Sequence, residues 1–213
     1  MKANWRLGTW WGVPITAHWT VLLGLPWFYY QTRSLTGTAI SFAAFLFLLL
    51  VHELGHAAVA VWRHVEVERI RLLLFHGVCV HEEPYYEEDD VLIAWGGVAA
   101  QFVVLIIALA VDALLTTLAL AAPLAVWLLL GVLIKTNLFL MIFNLLPLPP
   151  FDGAKAWRVL PMLREWVATT RWGESVRRRS AERERARNQE LEAKSQRITA
   201  EIIEKLKKGK SDV

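Results

Sequence analysis

The chain carries a single cysteine, Cys79, among its 213 residues. That excludes an internal disulfide and any cysteine-rich zinc module, so a zinc ion would have to be held by His, Asp or Glu. No internal repeat is visible. Charge is missing over long stretches: from Ala39 to Trp62 every residue other than Ser41, His52, Glu53, Gly55 and His56 is apolar. With 55% hydrophobic residues and a mean hydropathy of +0.37, such runs exclude an average globular protein and indicate a polytopic membrane protein.

The apolar runs predict an all-α membrane domain of about four transmembrane helices, at roughly Ile15–Tyr30, Ala39–Trp62, Val91–Val111 and Leu124–Leu146. The first reads as a retained span rather than a signal peptide. It lacks a small-residue cleavage pattern before Gln31-Thr32-Arg33 and carries His18, Pro26 and several aromatics. Between the second and third spans, alternation through Val65-Glu66-Val67-Glu68 and Ile70-Arg71-Leu72 predicts a short membrane-associated β-hairpin turning near His76-Gly77.

The predicted organisation is a membrane domain over residues 1–160 and a charged helical tail over 161–213. Most of the 23 lysines and arginines lie between Lys155 and Lys210, among sparse apolar positions at Leu191, Ile198, Ile202 and Leu206. Such a helix is either simply solvated or basic enough to contact anionic lipid or a protein partner. An even number of spans puts both termini on the cytoplasmic side of a prokaryotic cell membrane. Arg63, Arg69 and Arg71 share that side, and the opposite loops offer only Arg33. A nucleic-acid partner is not expected.

Chemistry concentrates in His52-Glu53-Leu54-Gly55-His56. On a helix, residues four apart share a face one turn apart, where two neutral imidazoles can hold one zinc ion. Glu53 stands beside them, where a general base can take a proton from a zinc-bound water. The bland alternative is a chance pattern with both histidines hydrogen-bonded inside a bundle. Ionisable groups in lipid are expensive, which weighs against it. At about 1.5 Å rise per residue His56 lies ~9 Å from the Trp62 end, inside the membrane but near one face.

The fourth span ends in Asn144-Leu145-Leu146-Pro147-Leu148-Pro149-Pro150-Phe151-Asp152-Gly153. Three prolines forbid a continuing helix and Gly153 permits a tight turn, so Asp152 is displayed on irregular backbone. As a third ligand it would complete a zinc site with one open position; as a plain N-cap it would only start the next helix. His18, His76 and His81 have no partner at ligand spacing and read as interfacial or loop residues. The acidic run Glu82, Glu83, Glu87, Glu88, Asp89 and Asp90 reads as a solvated loop or helix start, with cation binding as the alternative. Small residues in Trp95-Gly96-Gly97-Val98-Ala99-Ala100-Gln101 allow close helix packing against the motif helix. Lys135, Thr136 and Asn137 are expected to face the bundle interior or a wet cavity.

These residues resemble the site-2 protease family of intramembrane zinc metalloproteases. His52-Glu53-Leu54-Gly55-His56 looks like its HExxH, and Asn144 to Gly153 looks like its NxxPxxPxDG. Leu7-Gly8, Gly12-Val13-Pro14-Ile15 and His18-Trp19 look like the family's opening, so the similarity covers roughly the first 160 residues. The resemblance implies one zinc per chain held by His52, His56 and Asp152, with Glu53 as catalytic acid/base and Asn144 as a polar contact to the substrate backbone. It also implies a membrane-anchored protein as substrate, cut in or near its transmembrane segment in regulated intramembrane proteolysis. The family's Gly-Pro-x-x-Asn is matched by Gly97-Val98-Ala99-Ala100-Gln101, which makes Gln101 a second candidate substrate contact. No PDZ insertion or CBS regulatory domain is visible. Two rival readings are a non-catalytic membrane scaffold that kept the bundle and a metal transporter, which would need polar residues on several spans.

Overall fold

The structure is a computed structural model that describes residues 4–74, 76–170, 179–185, 187–189, 191–192 and 194. The chain divides into two compact units, Met1–Val159 and Leu160–Val213.

The first unit is built on α2 (Leu35–Trp62), preceded by strands β1 (Asn4–Trp10) and β2 (Val13–His18), a 3-10 turn over Trp19–Gly24 and the short helix α1 (Leu25–Thr32). The expected first span is therefore not one helix. Its N-terminal part is extended, and α1 has 8 residues, about 12 Å of helix, too short to cross a bilayer. The alternation Val13, Ile15, Ala17, all buried, has a period of two, and this pattern decides for a strand over a helix.

Helix α2 starts at Ser34, whose hydroxyl accepts from the Gly37 N–H at 3.3 Å, and runs 28 residues. His64 then takes a positive φ of 60° and turns the chain into β3 (Val67–Leu72) and β4 (Gly77–His81). The hairpin expected here is present but is half of a larger object: a four-stranded sheet in the order β1-β2-β3-β4, with β2 and β3 parallel and the other pairs antiparallel. Its fully buried Ile70 and nearly buried Leu72 pack into one core with Phe45, Leu48 and Leu49 of α2. β4 is an edge strand.

Helix α3 (Glu87–Thr117) opens on four acidic residues, Glu87 to Asp90, at the positive end of its dipole. Two of them are paired rather than merely solvated. Arg63 Nε donates to buried Asp89 at 2.5 Å and Lys155 Nζ to Asp90 at 2.7 Å. The small residues of α3 serve the packing expected of them. A Cβ on Gly55 would run into the Gly96 carbonyl, and one on Gly96 would meet the Gly55 carbonyl at 2.6 Å, so α2 and α3 cross backbone to backbone there.

The last long helix comprises α4 (Leu124–Gly131), a π-turn (Val132–Thr136) and α5 (Asn137–Asn144). With α2 and α3 it makes three helices, among the described residues, that are long and apolar enough to cross a membrane; the fourth, expected at Ile15–Tyr30, is not formed there. Lys135 and Asn137 do not share a face. Asn137 is fully buried whereas Lys135 points outward, because residues two apart on a helix diverge by about 200°. A short α6 (Gly153–Ala156) closes the unit.

In the second unit α7 (Val159–Thr169) exposes Leu160, Leu163 and Trp166, the amphipathic pattern of period 3 to 4. The described residues between 179 and 194 are helical; most of the basic tail lies outside the described residues.

Candidate metal centre

Three donor atoms from two distant parts of the chain converge. His52 Nε2 lies 3.0 Å from His56 Nε2 and 2.8 Å from Asp152 Oδ2, and His56 Nε2 lies 3.2 Å from the same carboxylate oxygen. Each position has a local cause. The histidines are one turn apart on α2 with rings nearly perpendicular, at 89°. Asp152 precedes α6 but makes no side-chain cap bond, so the plain N-cap reading fails and the carboxylate is turned to the imidazoles. Its loop is pinned from outside: the Trp157 indole donates to the Leu145 carbonyl at 2.7 Å and the Trp95 indole to the Ala156 carbonyl at 3.0 Å.

The outer ring nitrogens fix what the inner ones can do. His56 Nδ1 meets the Ile93 carbonyl at 2.6 Å, and a carbonyl only accepts, so this nitrogen carries the proton. His52 Nδ1 meets Gln101 Oε1 at 3.0 Å, with the same consequence. In the neutral rings both Nε2 atoms are therefore lone pairs, and the Asn144 amide, its Nδ2 3.3 Å from His52 Nε2, donates toward one of them. Two lone pairs and a carboxylate oxygen at such separations repel unless something positive sits among them. Burial alone would raise the Asp152 carboxyl; imidazoles protonated on Nε2 as well would hydrogen-bond it and hold it well below the usual carboxylate range, and a cation among the three donors takes the place of those protons. Two imidazoles and one carboxylate form a donor set that fits a small divalent cation such as zinc. Room is kept for it. A Cβ on Gly97 would sit 2.5 Å from His56 Nε2 and 2.6 Å from His52 Cε1.

Glu53 is buried beside the triad, its carboxylate within 4.8 Å of the imidazole donors, and it takes a hydrogen bond from the backbone of Cys79 on β4. The thiol of Cys79 is pushed up to about 12, first by burial and then by the negative charges of Glu53 and Asp152. A cavity of about 470 Å³ opens onto the group, lined by His52, Glu53, His56, Cys79, Asn144 and Asp152 among others. His76 and His81 lie on its wall, outside the converging donors.

Of the residues singled out in the sequence, His52, Glu53, His56, Asp152 and Asn144 are brought together. Gln101 departs from expectation. It is fully buried, does not line the cavity, and bonds the back of His52 instead of facing a substrate. The Ile93 carbonyl, Gly97, Trp95 and Trp157 were not legible as site residues. Only the glycine pair Gly96-Gly97 carried a signal, and it pointed to packing.

No family model matches the chain. It is 32% identical over 159 residues to a zinc metalloprotease of Methanocaldococcus jannaschii, covering 70% of this chain and 43% of that protein. It is also 32% identical over 167 residues to a Synechocystis sp. protein bearing a zinc metalloprotease name, covering 72% and 43% respectively. The chain thus spans less than half the length of the curated relatives it matches. Among solved structures, the site-2 protease from Methanocaldococcus jannaschii superposes with a TM-score of 0.57 at 29% identity, over 74% of this chain and 71% of the other. These matches support its assignment to the site-2 protease family. That assignment accounts for the mixture of apolar helices and a small sheet around a buried His-Glu-His cluster.

Proposed function

We propose that the chain is an intramembrane zinc metalloprotease that hydrolyses a peptide bond in or beside the transmembrane segment of a membrane-anchored protein. The observation that carries this reading is the meeting of Asp152 with the paired imidazoles while the buried Glu53 carboxylate lies alongside. His52, His56 and Asp152 would hold one zinc per chain. When bound, zinc supplies a Lewis acid that polarises a carbonyl and makes water acidic enough to lose a proton near neutral pH.

The chain's own groups do the rest. Glu53 accepts the proton of the attacking water on its carboxylate and returns it to the leaving amine, and the hydrogen bond from Cys79 keeps that carboxylate in place. Asn144 presents its amide at the cavity wall, where it can hold a substrate carbonyl. A helical substrate has its carbonyls already hydrogen-bonded and must unwind before attack. The free edge of β4 supports this step, since an extended segment can add to an edge strand through its backbone.

Arg63, Arg69 and Arg71 follow the Trp62 end of α2. The positive charge supports a cytoplasmic placement of that end in a prokaryotic cell membrane. β1 and β2 join the same sheet as β3, the strand that follows that end of α2, which supports a cytoplasmic N-terminus without a fourth helix. The basic tail would share that side, with anionic lipid or a protein as its contact, and the process served would be regulated intramembrane proteolysis.

The test is purified protein in detergent or liposomes, with zinc content measured beside cleavage of a single-span substrate. Metal-dependent cleavage that is lost in Glu53→Gln supports the reading. Zinc binding without any product would move it to the scaffold.

A further inference from the structure

The two imidazoles are supported from behind in different ways. His56 Nδ1 donates to a backbone carbonyl, that of Ile93, whereas His52 Nδ1 donates to a side chain, that of Gln101 at 3.0 Å. Gln101 is fully buried on α3, and its neighbour in the bundle is the equally buried Asn137, the first residue of α5 after the π-turn. Asn137 Nδ2 donates to the Gln101 backbone carbonyl at 2.9 Å. Polar contacts therefore run from α5 through α3 to the metal-side histidine of α2.

This arrangement is costly as packing. Gln101 Nε2 and Asn137 Oδ1 have no hydrogen-bond partner among the described residues, and burying an unmatched amide group costs on the order of 1–3 kcal/mol. Leucine or methionine at either position would fill similar space without that cost. Contact with substrate does not explain it either, because Gln101 lies behind His52 and away from the cavity. What the glutamine does provide is an acceptor aimed at one ring nitrogen, and that acceptor determines which nitrogen of His52 keeps its proton.

We propose that Gln101 is a positioning residue that holds His52 with its proton on Nδ1, leaving Nε2 free for the metal, and that Asn137 braces the turn of α3 that carries it. The inference rests on the zinc metalloprotease reading and deepens it. It assigns Gln101 to ligand orientation and removes it from the substrate contacts.

The experiment measures zinc affinity by competition with a chelator, on full-length protein in detergent, for wild type, Gln101→Met and Gln101→Glu. It also records the visible absorption of the cobalt-substituted forms. Methionine keeps the length and loses the acceptor; affinity is expected to fall about 10–100-fold, the usual cost of losing a group that orients a ligand, with a shifted cobalt spectrum. Glutamate keeps the acceptor, and its affinity is expected to equal or exceed wild type with the spectrum preserved. Wild-type affinity and spectrum in the methionine variant would overturn the proposal. So would a glutamate variant that binds about tenfold or more weakly than wild type, since it keeps both the volume and the acceptor; this arm decides even if the methionine variant does not fold. A wild-type protein that binds no zinc at all would instead bring down the metalloprotease reading beneath it.

Discussion

Asp152 and His52, 100 residues apart in sequence, meet at 2.8 Å between Oδ2 and Nε2. The contact is made possible by a helix that stops at Asn144 and a loop that folds back, tied by the indoles of Trp95 and Trp157. Asp152→Ala removes one of three converging donors. It is expected to weaken zinc retention by more than the ~10–100-fold that follows loss of an orienting group, measured as metal per chain after dialysis against a weak chelator.

Glu53→Gln keeps the volume and removes the base. Zinc content is expected to match wild type while cleavage of a membrane substrate drops by about 10²–10⁴-fold, the contribution of a positioned general base. Undiminished cleavage would show that another group moves the proton.

Gly97→Ala and Gly131→Ala make a matched pair. The first places a methyl 2.5 Å from His56 Nε2 and should cost zinc binding and activity together. The second meets nothing within 4 Å, so it should leave both unchanged, with at most the gain of ~1 kcal/mol in helix propensity. Equal behaviour of the two variants in a metal-content assay would contradict the crowding described at Gly97.

Cys79 should be slow to alkylate. With the thiol pushed up to about 12, the reactive thiolate is the form that burial and the neighbouring carboxylates disfavour, and it grows only as pH rises. At pH 8 the thiolate fraction is expected to fall far below the roughly one quarter of an ordinary cysteine. A maleimide rate at pH 8 near that of a free thiol, on folded protein, would contradict this environment.

How far the sequence carried depends on the kind of signal. His52, Glu53 and His56 are one short segment on one helix face, so spacing alone specifies their geometry. Asp152 was legible because Pro147, Pro149 and Pro150 forbid helix and leave the carboxylate on display. The sheet was half legible. The Val67–Leu72 strand carries Glu68, Arg69 and Arg71 between its apolar residues, whereas Val13–His18 sits against a long apolar run that hides its period of two. Its parallel pairing with β3 joins residues more than fifty positions apart, and no local pattern encodes that. Gln101 was located as a candidate substrate contact, yet its side chain is fully buried and bonds the back of His52. A side chain's identity does not say whether it faces the cavity or the back of a ligand, and only the crossing of α2 and α3 decides this.

The unequal backing of the two imidazoles affects how this centre can change over generations. The tether of His56 is main chain, which no single side-chain replacement can delete. The tether of His52 is one amide, open to loss or exchange by a single codon change. Drift in metal affinity among close variants would therefore enter through the α3 position facing His52, while the opposite ligand stays constant.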